Sequence, residues 1–456
     1  MATRTLTPQA ASAAPNVRGA LQAALYGIAS SYGNPDWLIA RRRAALDSYE
    51  SAVLPPRVSH LWRYTDPAIF LPNGDHRLPR PPAEGAARSF PKVIESELGT
   101  EALAAAVLSR DGLVLKTAVD DKVIAAGVKI LDLHQAAREL PEVVSRHLGS
   151  LAGPETGKYE ALANALWTGG VFVYVPRGVD VGRPVHLFTS PSEIGASVYQ
   201  RLLVILEEGA TLTLIDEYGE DHANGGSPHA NSIVELYLSR GARLTYAPLQ
   251  NWGRQTVGYM TQRARLEDDA RLETVITSVG SSTFKMDCGA SLVGKGSESI
   301  IHGLAIGTDR QHLDHHTVHQ HVAGSTHSDL HFKTALRDKA NSVYTGLIGI
   351  EANAPYCEAY QENRNLLLSP GARAETIPEL EIKTNEVRCT HGATVGKVNP
   401  DEIFYLESRG IEKREAIRLI VTGFVGPIMD RLPDIVRGRV HTMVLERLGE
   451  TPGDEA

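Results

Sequence analysis

The fold is decided by the stretch Leu202-Leu203-Val204-Ile205-Leu206, Glu208-Gly209-Ala210, Thr211-Leu212-Thr213-Leu214-Ile215. Two short runs of aliphatic and β-branched residues flank a turn signal that is centred on a glycine. Similar signals recur at Arg240-Gly241-Ala242, Asp268-Asp269-Ala270, Lys295-Gly296-Ser297, Asp338-Lys339-Ala340 and Pro370-Gly371-Ala372. Their unequal intervals cluster at about 30 residues, which is in the range of stacked repeats. The pattern therefore predicts a β-solenoid core.

A sandwich or a barrel is the alternative fold, because hairpins also produce a sequence pattern of strand, turn and strand. A doubly wound α/β sheet is excluded, since no helix-length periodic segment separates the β-type runs. The β texture begins at Gly169-Gly170 with Val171-Phe172-Val173-Tyr174-Val175 and continues for about two hundred residues. We place the core at residues 169–398.

The regions on either side of this core have a different residue composition and a different secondary-structure pattern. The opening residues are rich in Ala, Ser, Thr and Pro, and we predict a disordered tail over residues 1–31. A mainly helical pattern with proline-rich interruptions runs from Ala20 to about Leu151, and we predict an α-rich region over residues 32–168. The first acidic residue is Asp36, so an organellar transit peptide is the alternative interpretation of the N-terminus.

A C-terminal helical domain is predicted over residues 399–450. Asn399-Pro400-Asp401-Glu402 combines an N-cap, a proline at the first helical position and a capping-box acid. We expect this helix to reach Gly410. A second helix should begin near Glu412 and bend or end at Pro427; its apolar face is typical of a packed core. That face carries Ile417, Ile420, Val421 and Phe424.

Composition excludes several classes of protein. The 456 residues carry a net charge of -8 with scattered basic residues, which argues against nucleic-acid binding. No apolar run approaches the roughly 20 residues that cross a bilayer, so we expect no membrane segment. The three cysteines, Cys288, Cys357 and Cys389, argue against a secreted disulfide framework and favour reduced thiols in the cytoplasm.

Cys389-Thr390-His391 is the strongest local signal for chemistry. On an extended strand, residues i and i+2 project from one face, so the thiol and the imidazole could share one metal such as iron or zinc. Packing in a core is the alternative role for such a pair. Three cysteines without a Cys-x-x-Cys pair cannot supply four thiolates, so any site here would be incomplete.

Other candidates are weaker. A dense histidine cluster could bind metal, but we interpret most of its members as solvated histidines or histidines between coils. Cys288 and Cys357 lie in β-type runs and are predicted to be buried thiols. The chain contains no phosphate-binding loop, dinucleotide fingerprint, His-Glu-x-x-His or Gly-x-Ser-x-Gly sequence. The cluster comprises His312, His315, His316, His319, His321, His327 and His331.

Several segments closely resemble the signature of the SufB/SufD family of iron–sulfur cluster assembly proteins. They are Asn363 to Ser369, Ile377 to Ile382, Val387 to Gly396 and Phe404 to Ile411, with weaker matches at Trp62 to Asp66 and Asn34 to Leu38. The resemblance implies a right-handed parallel β-helix flanked by helical regions. It also implies a SufB-type partner and an ABC-type ATPase, SufC, which would dock on Asp401 to Leu432. The chain would then be a scaffold subunit and not an enzyme, with ATP hydrolysis in the partner.

The run Cys-x-His-Gly-Ala-Thr-Val-Gly resembles the SufD version of the motif, whereas the SufB version carries His-Glu-Ala-Thr and further cysteines. This implies that His391, and secondarily Cys389, bind a nascent, transient iron–sulfur cluster at the interface with the SufB-type subunit. Flavin binding and a homodimer of the isolated chain stay open. Two other functions remain as alternatives: a β-helix carbohydrate-active enzyme, for which 6% aromatic residues is few, and a histidine-rich metal carrier.

Overall fold

The computed structural model describes residues 15–71, 78–79, 89–99, 102–190, 195–219 and 229–447. Its helices are α1 Pro15–Ser31, α2 Asp36–Ser51, α3 Lys92–Gly99, α4 Asp121–Ala125, α5 Leu133–Glu139, α6 Pro141–His147, α7 Lys158–Leu166, α8 Pro400–Ser408, α9 Lys413–Met429 and α10 Asp434–Arg447. Its strands are β1 Ala105–Arg110, β2 Leu113–Val119, β3 Lys129–Asp132, β4 Gly169–Val175, β5 Val185–Ser190, β6 Ser197–Leu206, β7 Thr211–Tyr218, β8 His229–Leu238, β9 Arg243–Gln250, β10 Val257–Leu266, β11 Arg271–Ser278, β12 Thr283–Leu292, β13 Glu298–Gly307, β14 His312–His321, β15 His327–Leu336, β16 Asn341–Ile350, β17 Cys357–Leu367, β18 Arg373–Ile382 and β19 Val387–Lys397.

The strands from β4 to β19 form a parallel β-solenoid with two facing sheets. Odd-numbered strands from β5 to β19 stack in one sheet and even-numbered strands from β4 to β18 in the other. Each strand pairs in parallel with the strand two places along the chain, as β12 does with β14 over ten residue pairs. This pairing confirms the solenoid prediction and rejects the sandwich.

The turn signals lie on two opposite edges of the solenoid, which explains their unequal intervals. Gly209, Gly241, Asp269 and Gly296 mark one edge, and all four have positive φ values. Each N–H there donates to a carbonyl of the following turn, as from Gly209 to Arg240 at 2.9 Å. The last two signals, at residues 338–340 and 370–372, fall on the other edge, between β15 and β16 and between β17 and β18.

The inner faces of both sheets form the core. In the first turns Leu212 and Leu214 of β7 pack in one cluster with Val204 of β6 and Val234 of β8. These positions alternate with outward residues, as the period of two in a strand requires. Apolar burial on this scale is the main force that holds the stacked turns together.

The N-terminal region differs from the prediction in two respects. A disordered tail through residue 31 is wrong for residues 15–31, because these form α1, where Leu21 and Leu25 are buried against α2 and α7 neighbours. The first fourteen residues lie outside the described part of the chain. The region from 32 to 168 is also not simply α-rich, since β1, β2 and β3 extend the two solenoid sheets.

The C-terminal helices lie against the outer face of the odd-numbered sheet. Val421 and Val425 of α9 and Val440 of α10 pack on sheet residues such as Leu304. The side chain of Asn399 accepts a hydrogen bond from the Asp401 N–H and caps α8. Pro427 does not end α9, which continues to Met429. No helix in the described part of the chain is long and apolar enough to span a membrane.

Candidate metal centre

Cys389 and His391 lie on β19, the last strand of the odd-numbered sheet. In register with β17, Cys389 lies opposite Ala359 and His391 opposite Gln361. Because side chains alternate along a strand, both residues project from the same face. The structure therefore places the two side chains on one face at the end of the solenoid, with Cα atoms about 7 Å apart.

The two side chains differ in their exposure. Cys389 is half-buried and packs, with Val387, against the small cluster that contains Ile350 and Cys357. His391 is exposed, because no described strand follows β19 to cover it. The Cys389 side chain is therefore supported by the core, whereas the His391 side chain is open to solvent at this end.

Burial raises the pKa of the Cys389 thiol. A neutral thiol is a poor ligand, because metals bind the thiolate. Metal binding at Cys389 must therefore release a proton, and an approaching cation would favour that release. The described residues contain no group of three or more His, Cys, Asp or Glu side chains that could hold a metal ion.

The other two cysteines are buried, as the sequence predicted. Cys288 is 2% exposed and lies among Phe284, Met286 and Tyr344. Burial raises the pKa of its thiol to about 12. Cys357 is fully buried, and its thiol donates to the Ala354 carbonyl at 3.2 Å. Neither thiol faces solvent in the folded chain.

Part of the histidine cluster lies between the coils of the solenoid and is not solvated. His315, His319 and His321 on β14 point into the core and are nearly fully buried. Each ring has a hydroxyl partner on the facing sheet: Ser278 lies 2.9 Å from His315, Ser299 lies 3.1 Å from His319, and Ser328 lies 2.9 Å from His321. Nδ1 of His315 is buried without a hydrogen-bond partner among the described residues. Burial lowers the pKa of His315 and of His321 to about 4, so these rings are neutral structural groups.

Two of the outward histidines, His316 and His331, pair with carboxylates. His316 lies 2.9 Å from Asp287, and His331 lies 3.2 Å from Asp329. His312 contacts the Thr65 hydroxyl at 2.7 Å. The alternation of inward and outward residues thus divides the cluster between the core and the surface, and the structure does not bring its members together around one point.

Sequence reasoning missed a buried ion pair beside this cluster. Lys285 of β12 and Asp314 of β14 lie 2.7 Å apart and are 3% and 2% exposed. Lys285 also donates to the Leu61 carbonyl at 3.1 Å, and the Thr65 hydroxyl donates to Asp314. The pair therefore ties the segment around Trp62 to the even-numbered sheet. The resemblance at Trp62 to Asp66 was the sequence signal for this contact.

Two family models match the chain. The model described as the SufBD core domain of the SUF system for FeS cluster assembly matches residues 188–424, and the model of the SufBD protein N-terminal region matches residues 30–187. The core model alone covers more than half of the chain.

Curated relatives match along most of their length. The iron-sulfur cluster assembly protein SufB of Bacillus subtilis is 25% identical over 407 residues, which cover 88% of this chain and 86% of that protein. A SufBD family iron-sulfur cluster assembly protein of Staphylococcus haemolyticus is 25% identical over 420 residues, covering 91% and 90% of the two chains. A homologue in Staphylococcus aureus is 24% identical over 424 residues.

Proposed function

The chain belongs to the SufBD family of iron–sulfur cluster assembly proteins, and we propose that it is a SufD-type scaffold subunit that pairs with a SufB-type subunit. The observation that carries the proposal is the position of Cys389 and His391 on one face of β19, at the end of the solenoid where no described strand follows. Two side chains do not complete a cluster site. The partner subunit would supply the remaining ligands.

The residue after His391 supports the assignment to the SufD type. Gly392 stands where the SufB version of the motif carries glutamate. A subunit without that carboxylate and with three cysteines contributes fewer ligands than its sibling. In this arrangement His391 is the principal ligand from this chain, and Cys389 either binds iron or supports the interface.

The end of the solenoid is suited to pairing. Among the described residues, β18 pairs with β16 alone and β19 with β17 alone, so each strand has one edge free for another chain. Unpaired strand edges are templates for association. Apolar side chains lie beside these edges: Leu380 is 36% exposed, Ile382 39% and Val395 45%. A SufB-type subunit that docks here would also cover His391.

Helix α8 supports the proposed docking of a SufC-type ATPase. It has no buried residue, and Phe404 and Tyr405 are 72% and 57% exposed. The apolar face of α9, in contrast, packs on the solenoid. We therefore place the docking surface mainly on α8 within residues 401–432. ATP hydrolysis would belong to that partner, since this sequence carries no phosphate-binding loop.

The proposed cargo is a transient iron–sulfur cluster that is built between the two solenoid subunits in the cytoplasm and passed on. An incomplete and solvent-accessible site releases its metal more readily than a closed site with four ligands from one chain. The chain acts in this account as a scaffold, without a chemical step of its own.

The test is anaerobic reconstitution of the chain together with a SufB-type subunit and a SufC-type ATPase. We expect the three proteins to co-purify and to develop the visible absorption of an iron–sulfur cluster on addition of iron and sulfide. The SufB-type subunit and the ATPase without this chain are the control and should develop a weaker signal. Failure to form the complex, or an equal signal without this chain, would overturn the proposal.

A further inference from the structure

A loop of the N-terminal region, residues 52–65, runs along the outside of the even-numbered sheet. At its start, the Ala52 carbonyl accepts a hydrogen bond from Lys158 of α7 at 2.7 Å. Leu54 then packs in an aromatic cluster with Tyr259 of β10. At its end, the Thr65 hydroxyl lies 2.7 Å from His312 of β14. We call this segment the strap loop.

The tip of the strap loop reaches the last strand of its sheet. His60 lies 3.2 Å from Glu379 of β18. From β10 to β18 the strands follow one another in the order β10, β12, β14, β16 and β18. At about 4.8 Å per strand, the loop therefore extends about 19 Å along the solenoid before it returns.

The tip is held firmly on its return side. The Leu61 carbonyl accepts a hydrogen bond from the buried Lys285, whose ammonium group lies 4.8 Å from the centre of the Trp62 ring. Trp62 itself is 7% exposed. These contacts fix His60 and its neighbours relative to the free edge of β18, so that the tip is a positioned element at the end of the solenoid.

Val58 at this tip is 91% exposed, and Val53 at the start of the strap loop is 86% exposed; both values exceed those of the other large apolar side chains in the described residues. Only Val58 lies close to the free edge, two residues from His60. A chain that extends the even-numbered sheet must lie about 4.8 Å beyond β18, which is within reach of the tip.

We propose that the tip of the strap loop, with Val58 at its centre, is part of the interface with the solenoid subunit that pairs at β18 and β19. The position of the tip identifies the partner, because the tip borders the free edge of β18, the strand to which that subunit would bind. This inference rests on the proposed function, and it assigns a role in subunit pairing to the N-terminal region.

The test uses three exposed valines in the full chain, co-expressed with its SufB-type partner. A photo-crosslinking amino acid replaces Val58 at the tip, Val53 at the start of the strap loop, or Val395 on β19. We expect crosslinks to the partner subunit from positions 58 and 395 and none from position 53. A crosslink from 395 without one from 58 would overturn the inference while leaving the pairing intact. Crosslinks from neither position in a complex that co-purifies would overturn both.

A pair of charge substitutions provides a second measurement. Val58→Asp should weaken retention of the partner subunit about tenfold, through loss of a buried valine and burial of a carboxylate. Val53→Asp is the matched control and should leave retention unchanged. Because both valines are exposed, neither change should disturb folding, which thermal melting of the isolated chain would verify. Equal retention by the two variants would contradict the role of Val58.

Discussion

Lys285 and Asp314 carry opposite charges that are almost completely withdrawn from water. Such a pair adds little net stability compared with an apolar pair, but removing one partner leaves an uncompensated buried charge. Here the loss would also release the Leu61 carbonyl, which Lys285 contacts at 3.1 Å. The pair is therefore one of the contacts that hold the strap loop on the solenoid, together with the aromatic cluster around Trp62.

We predict that Lys285→Met lowers the free energy of unfolding by about 3 kcal/mol, because Asp314 is left buried without its cation. Lys383→Met is the control: Lys383 pairs with Glu351 at 3.0 Å but is 55% exposed, so its loss should cost less than about 1 kcal/mol. Urea unfolding followed by circular dichroism measures both. Equal effects of the two substitutions would contradict the importance of the buried pair.

The buried His321 predicts an acid-dependent loss of stability. Burial lowers its pKa to about 4, below the value of about 6.5 in an unfolded chain, so the unfolded state binds the proton first as the pH falls. The stabilisation that comes from keeping His321 neutral is fully present above pH 6.5. It is lost as the pH falls from about 6.5 to 4, where the free energy of unfolding decreases by up to about 1.4 kcal/mol per pH unit.

His321→Gln should reduce this pH dependence of the unfolding free energy, since a glutamine can still hydrogen-bond near Thr326 and Ser328 but does not titrate. The measurement is urea unfolding at several pH values from 7.5 to 4.5. A slope for His321→Gln identical to that of the wild type would show that His321 does not carry this proton linkage.

At the scale of elements, we expect alanine to have opposite effects on stability at two glycines, one on the edge of the solenoid and one in α10. Gly241 has a φ of 66°, in the left-handed region that disfavours a Cβ atom. Gly438 lies in α10, where an added Cβ would meet nothing within 4 Å. An added Cβ atom would meet nothing within 4 Å at Gly241 either, so a comparison of the two glycines isolates the effect of backbone conformation on stability.

We predict that Gly241→Ala destabilises the chain by about 1 kcal/mol, whereas Gly438→Ala stabilises it by about 0.5–1 kcal/mol. Thermal or urea unfolding of the two variants checks the signs. A stabilising Gly241→Ala would mean that the edge turn does not require the left-handed conformation in solution.

Helix α8 predicts a separate effect on the ATPase partner. Phe404→Asp should weaken retention of the SufC-type ATPase about tenfold, because Phe404 is 72% exposed and would be buried on docking. Ile124→Asp on α4, at a position that is 56% exposed, is the control and should have no effect. Pull-down from a co-expressed complex measures retention. Unchanged retention by Phe404→Asp would move the docking surface away from α8.

The solenoid was predictable from sequence because glycine or aspartate marks many of its left-handed turns. Ser325 and Tyr356 continue the edge of Gly296 with φ values of 58° and 61°, yet neither residue type signals such a turn. The sequence therefore carried no signal for these two turns, and the last two signals that it did carry belong to turns on the opposite edge. Local propensity cannot show which edge a turn occupies, since that depends on the stacking of distant strands.

The face shared by Cys389 and His391 was also predictable, because the period of a strand is local. The inward direction of His315, His319 and His321 was not, since it depends on which face of β14 meets the opposite sheet. The contact of Lys285 with Asp314 likewise joins strands that are separated in sequence. The helical pattern was visible from Ala20, but the tail boundary at residue 31 was placed too late, because the burial of Leu21 and Leu25 depends on packing against distant helices.

At the scale of the whole molecule, the solenoid has a start that further strands extend and an end at which, within the described ranges, no strand pairs beyond β18 and β19. Strands β1, β2 and β3 extend the sheets at the N-terminal end, whereas β18 and β19 end them at the other. The tip of the strap loop, His391 and a group of exposed apolar side chains on the last two strands lie at this end. These apolar side chains are Leu380, Ile382 and Val395. In the proposed function the chain is half of an assembly, and its metal site forms only when the second solenoid subunit is present.

The most direct test of this central claim compares His391→Ala with Thr390→Ala in the complex of this chain with its SufB-type and SufC-type partners. Thr390 neighbours His391 on the opposite face of β19, so it controls for disturbance of the strand. After anaerobic reconstitution with iron and sulfide, we predict a cluster absorption that is strongly reduced in His391→Ala and unchanged in Thr390→Ala, with equal co-purification of all partners. A cluster signal that is indifferent to His391 in an intact complex would contradict the shared site.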